Sequence, residues 1–115
     1  MPVIAEISVV PIGTNGPSVG AIVAEALRAL EAYPAVQHEL SAMGTTLIGE
    51  LSAVLAACGA MHSAALASGA PRCYTIIKMD QRSDKFSSAE DKVASVRSHL
   101  SQGNAGETAA TLDQM

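Results

Sequence analysis

The sequence predicts one α+β sandwich of the order β-α-β-β-α-β with an extra C-terminal helix. Three observations predict it. Residues 3–10 alternate strictly between apolar and mixed positions, which is the two-residue period of a strand. Two later stretches, 18–33 and 52–68, carry apolar residues at helical spacing. Between them, residues 36–48 hold two short β-prone runs around a glycine, a hairpin signal. A chain of 115 residues supports one core rather than two.

Val3–Val10 opens the chain as a strand, and Pro11 and Gly13 close the run. Val3, Ala5, Ile7 and Val9 form a wholly apolar face, while Glu6 and Ser8 share the other face with Ile4 and Val10. After a turn at 14–17, Ser18 is placed to cap a helix that runs to about Tyr33. Val19, Ile22, Val23, Ala26, Leu27 and Leu30 make its stripe, and Pro34 ends it. Val36–Met43 reads as the second strand. Leu40 and Ala42 would face the helices, with Gln37, Glu39, Ser41 and Met43 facing away. Gly44–Thr45 suits a tight turn into a short third strand, Thr46–Ile48. Ser52 is a candidate cap for a second helix through about Ser68, with Gly69 in a left-handed C-terminal position and Pro71 beyond. Cys73–Asp80 is the fourth strand. Ser87 and Glu90 make a candidate capping box for a third helix carrying Val93, Val96 and Leu100.

That order is the split βαβ, ferredoxin-like arrangement. Two helices cover one sheet face, which leaves Ile4, Val10, Met43 and Ile48 on an open one. An open apolar face of this kind favours self-association. The expected organisation is a ferredoxin-like domain over 1–100 and a flexible tail over 101–115, which is polar and rich in Gly, Asn, Thr and Ala.

Composition narrows the function. Eleven acidic against seven basic residues leave a net charge of −4, which repels a phosphate backbone. There is no Trp, and Tyr33, Tyr74 and Phe86 are the only aromatics, too few for a base-stacking platform. No nucleic acid is therefore expected as a partner. No signal peptide and no membrane span are visible, so the expected location is cytoplasmic. Cys58 and Cys73 are far apart, and His38, His62 and His99 fall on different elements. This pattern predicts reduced thiols and no metal, and no cofactor is implied. No nucleophile elbow or phosphate-cradling glycine loop appears, so the chain is not expected to be an enzyme.

Five segments carry a resemblance: EISVVPIGT at 6–14, MGTTLIGE at 43–50, MHSAALASGAPR at 61–72, KMDQRSDK at 78–85 and EDKVASV at 90–96. In this order and spacing, over residues 3–100, they resemble the YkoF-like family of small thiamine-binding proteins. The resemblance implies a ferredoxin-like fold, a dimer-of-dimers assembly, and a site for thiamine or its hydroxymethylpyrimidine half. It implies no catalytic residues. One position departs from the pattern. Relatives often place a Glu just before the Gly of the third strand, where this chain has Ile48 before Gly49; Glu50 has the opposite strand parity.

Six residues are the candidate ligand contacts: Ser8, Glu39, Met43, Gly44, Thr45 and Thr46. An aminopyrimidine has ring-nitrogen acceptors and an amino donor, which Ser and Thr hydroxyls and backbone groups can match. Four of them also have a plainer reading. Ser8 is a locally satisfied hydroxyl, Thr45 and Thr46 are turn and strand formers, and Glu39 is a solvated edge carboxylate. Glu6 and Lys78, on neighbouring strands of this topology, are expected to pair. Arg72, Arg82 and Lys85 with Asp80 and Asp84 form a charged loop, which supports the alternative of a small enzyme acting on an anion there. A structural oligomer without ligand is the third reading.

Overall fold

The computed structural model describes residues 1–103 and has the ferredoxin-like order. Strand β1 spans Pro2–Ile12, helix α1 Gly20–Arg28 (continued by a 3-10 turn, Ala29–Ala32), β2 Gln37–Leu40, β3 Thr45–Glu50, helix α2 Leu51–Ala67, β4 Arg72–Asp80 and helix α3 Ala89–Gly103. The antiparallel sheet has the order β2-β3-β1-β4. The alternation of β1 is realised in full: Val3, Ala5 and Ile7 are buried under α1 and α2 together with Leu47 of β3. Ala26, Leu30, Val54, Ala57, Cys58 and Met61 complete that core from the helix side. Each large side chain buried in this way contributes roughly 1.5–3 kcal/mol.

Registers place every sheet residue on a face. Ile4 pairs with Ile48 and Glu6 with Thr46 across β3, while Glu6 pairs with Lys78 and Ser8 with Ile76 across β4. Gln37 and Glu39 of β2 oppose Ile48 and Thr46. All of these share the open face. The expected pair between Glu6 and Lys78 forms, at 3.1 Å.

Several local expectations are corrected. Ser18 does not cap α1; the helix starts at Gly20 with Val19 as its cap and no side-chain bond. Ser52 does not cap α2 either, because it lies inside the first turn and Glu50 holds the cap position. The second strand stops at Leu40 rather than Met43. Ser41 donates its backbone N–H to the Gly44 carbonyl at 2.8 Å, and its hydroxyl bonds the same oxygen at 2.9 Å, so residues 41–44 form the turn. Met43 is therefore a turn residue and not part of the sheet face, and Thr45 is the first residue of β3. Pro11 lies inside β1, tolerated because β1 beyond Ile7 has β4 as its only neighbour. Gly69 has φ +108°, as the left-handed end of α2 requires. The expected tail is helical as far as Gly103, and the rest of it lies outside the described residues.

The capping box of α3 is displaced by one residue. Ser88, not Ser87, donates its backbone N–H to Asp91 Oδ2 at 3.1 Å, and the Asp91 N–H bonds Ser88 Oγ at 3.0 Å. This shift releases Glu90 from capping.

Two glycines should respond in opposite senses to alanine. A Cβ on Gly44 would sit 2.9 Å from the Ile7 carbonyl oxygen, whereas one on Gly59, exposed in the middle of α2, would meet nothing. Gly44→Ala should cost about 1–3 kcal/mol, and Gly59→Ala should add about 0.5–1 kcal/mol. Urea unfolding of both variants measures this.

Candidate functional site

Helix α3 leaves the sandwich at the β2 side and keeps residues 90–102 exposed. Its first turn, with the preceding loop, stands over the open face and encloses a hollow of about 190 Å³. The sheet contributes Gln37, Glu39, Thr46 and Ile48 to that hollow, with His38 at its rim. The loop and helix contribute Phe86, Ser88, Ala89 and Glu90. Its chemistry is that of a site for a small polar cation. Two carboxylates face it, Gln37, Thr46 and Ser88 can donate and accept hydrogen bonds, and Ile48 and Phe86 give apolar surface. No Lys or Arg lines it.

The six sequence candidates divide. Thr46 and Glu39 line the hollow and oppose each other across β2 and β3. Ser8 lies further along the face, where its hydroxyl donates to the Met43 carbonyl at 2.8 Å and ties the hairpin turn to β1. Met43 is at the turn tip with its side chain 83% exposed. Gly44 packs closely against Ile7, and Thr45 is buried on the helix side, 3% exposed and opposite Ile7. These four serve the hairpin in this geometry and do not meet Glu39 and Thr46 in the hollow.

Gln37, Phe86, Ser88 and Glu90 were not among the candidates. Gln37 was legible through its shared parity with Glu39. Phe86, the one Phe of the chain, stands in an otherwise charged and polar loop, a signal that a ring is needed there. Glu90 was hidden by its expected capping role. Ile48 pairs with Gln37, and Glu39 brings a carboxylate to the next position on the same face.

The charged loop is satisfied within itself. Arg82 binds Asp84 through two hydrogen bonds of 2.8 and 2.5 Å. Those bonds hold the Asp84 carboxyl below the usual carboxylate range and raise the Arg82 guanidinium. Lys92 reaches back from α3 to Asp80 at 2.5 Å and lowers that carboxyl in the same way. The space beside them, bounded by Arg82, Lys85 and Lys92, is about 10 Å³, room for roughly one water.

Elsewhere, His62 Nδ1 lies 2.6 Å from Thr75 Oγ1, between α2 and β4. Cys58 is buried, and burial pushes its thiol up; Cys73 is half-buried, and both are free. Among the described residues no three His, Cys, Asp or Glu side chains converge as metal ligands. No described helix is long and apolar enough to cross a membrane.

A family model described as "Thiamine-binding protein" matches residues 5–97. The chain belongs to that family. It is 41% identical over 100 residues to YqgV of Bacillus subtilis, covering 84% of this chain and 96% of that one. A Methanothermobacter thermautotrophicus protein is 40% identical over 97 residues, covering 84% and 97%. Among solved structures, a hypothetical protein of Methanocaldococcus jannaschii superposes with a TM-score of 0.74 at 35% identity, covering 83% and 95%. A Thermotoga maritima protein described as a candidate for thiamine biosynthesis or salvage has a TM-score of 0.69 at 19% identity, covering 84% and 99%, and shows the shared fold.

The Ser88–Asp91 box holds the helical wall of this hollow. The Ser88 backbone N–H, helped by the Ser88 side chain, keeps the Asp91 carboxyl below its ordinary range. A depressed folded value means that this contribution is complete above the unfolded carboxyl value of about 4. It is lost as pH falls through the folded value. Carboxyl NMR titration should place Asp91 below the ordinary Asp range. Ser88→Ala should return it to the ordinary range and shorten α3 at its start.

Proposed function

We propose that this protein binds thiamine, or its hydroxymethylpyrimidine half, without chemical conversion, in the hollow between β2, β3 and the first turn of α3. The observation that carries the reading is the lining of that hollow: Glu39 and Glu90 with Gln37, Thr46 and Phe86 and no basic group. Thiazolium is a permanent cation and would take the carboxylates as counter-charges. The aminopyrimidine would use Thr46 and Gln37 for its donor and acceptors, with Phe86 as aromatic surface. Membership of the thiamine-binding family supports the same ligand. The anion-loop alternative is weakened by the Arg82–Asp84 and Lys92–Asp80 pairs, which already use those cations.

A homo-oligomer, assembled as a dimer of dimers in the cytoplasm, belongs to the same reading. Val10, Tyr74 and Ile76 remain exposed on the open face, and Val96 and Leu100 on α3. Patches of this kind are usually covered.

Isothermal titration should show thiamine binding. Glu39→Gln should weaken it about tenfold and Thr46→Val about 2- to 10-fold. Lys85→Ala should change it by less than about twofold, since Lys85 lies on the far side of Phe86 and outside the hollow. The reverse order of effects would move the site to the loop. Sedimentation at micromolar concentration should give a dimer or tetramer, and Ile76→Glu should shift it toward monomer. A strict monomer of the unaltered protein would defeat the assembly.

A further inference from the structure

The hollow does not end at Glu90. A second depression of about 430 Å³ shares Glu39, Ala89 and Glu90 with it and continues along α3 past Val93 and Ala94 to Arg97. The two form one groove with a graded character. Hydrogen-bonding and aromatic groups line its inner end, carboxylates its middle, an apolar floor follows, and a guanidinium stands at its outer end. Val93, Ala94 and Arg97 share this wall because residues three, four and seven positions apart along a helix lie on one face.

Arg97 differs from three other cations near the site, and Lys85, also outside the salt bridges of the described residues, lines the small space on the other side of Phe86. Lys78 is held by Glu6, Lys92 by Asp80 and Arg82 by Asp84, whereas Arg97 takes part in no salt bridge among the described residues. It faces the groove with its charge uncommitted. Seven residues of helix separate it from Glu90, about 10 Å along the axis. A five-membered cationic ring with a two-carbon arm, met by the long Arg side chain, bridges that span.

We infer that the groove takes an organic cation carrying a terminal phosphate, with the ring cation between Glu39 and Glu90 and the phosphate on Arg97. The inference rests on the reading of the hollow as a thiamine-class site and adds the ligand's second charge. Arg suits this task because its planar fork can bind two phosphate oxygens at once. The net charge of −4 opposes an anion in general. The ring cation cancels part of the phosphate charge and leads into that field, so the ester suffers less of the penalty than a bare anion would.

The test compares thiamine with thiamine monophosphate by calorimetry on the full chain, in low-salt buffer near pH 7.5. The monophosphate should bind about 3- to 10-fold more tightly than thiamine, a modest ratio because Arg97 is exposed. In Arg97→Gln that ratio should fall to about one, and in Arg97→Lys it should stay between the two values. Raising the salt should shrink the ratio in the unaltered protein, since an exposed charge pair is screened. Arg97 is exposed, and circular dichroism should confirm that both variants keep the helix. Equal binding of the two ligands by the unaltered protein, or a preference that survives in Arg97→Gln, would overturn the inference while leaving the thiamine site standing. Binding of neither ligand would overturn both.

Discussion

The register of β1 against its two neighbours is the constraint on which the molecule depends. Side chains alternate across a strand, so a slip of one residue would exchange the buried Val3, Ala5 and Ile7 for Ile4, Glu6 and Ser8. Burial of a carboxylate in an apolar core is prohibitive without a partner. Glu6 cannot be on the helix side, and it draws Thr46 and Lys78 to the open face with it. The identity of the residues that face the hollow is thus a consequence of core burial on the opposite side of the sheet.

From that register, a second layer of local chemistry builds the site. Ser41 and Gly44 close the hairpin and limit β2 to four residues, which sets Gln37 and Glu39 beside Ile48 and Thr46. Ser8 fastens the turn to β1 from the same face. The Ser88–Asp91 box starts α3 over these residues rather than one position earlier, and Lys92 anchors it to Asp80. Each of these bonds is individually weak and exposed. Together they position a helix that buries almost nothing against its own sandwich and leaves the hollow beside it open.

Ile48 of the third strand leaves the negative charge of the hollow to other elements. Its side chain adds to the apolar surface beside Phe86. The negative pole passes to Glu39, on the neighbouring strand, and to Glu90, on the helix. Carboxylates from two different elements give a pole whose strength follows the placement of α3.

Much of this was determined by the sequence alone. The strand alternation of 3–10, the helical stripes, and the glycine and proline stops specify the ferredoxin-like order, because burial of one face per element leaves few other arrangements. The Glu6–Lys78 pair followed from strand adjacency in that topology. Glu39 and Thr46 were legible as open-face residues by parity. Tertiary structure decided the rest. Thr45 went to the core and Met43 to a turn tip because Ser41 closes the hairpin one residue earlier than the glycine suggests. Glu90 reached the groove because Ser88 and Asp91, rather than Ser87 and Glu90, satisfy the helix start. Phe86 and Gln37 are far apart in the chain and share no periodicity. Their juxtaposition exists only once α3 stands against β2, and no local pattern encodes a contact between a loop, an edge strand and the flank of a projecting helix.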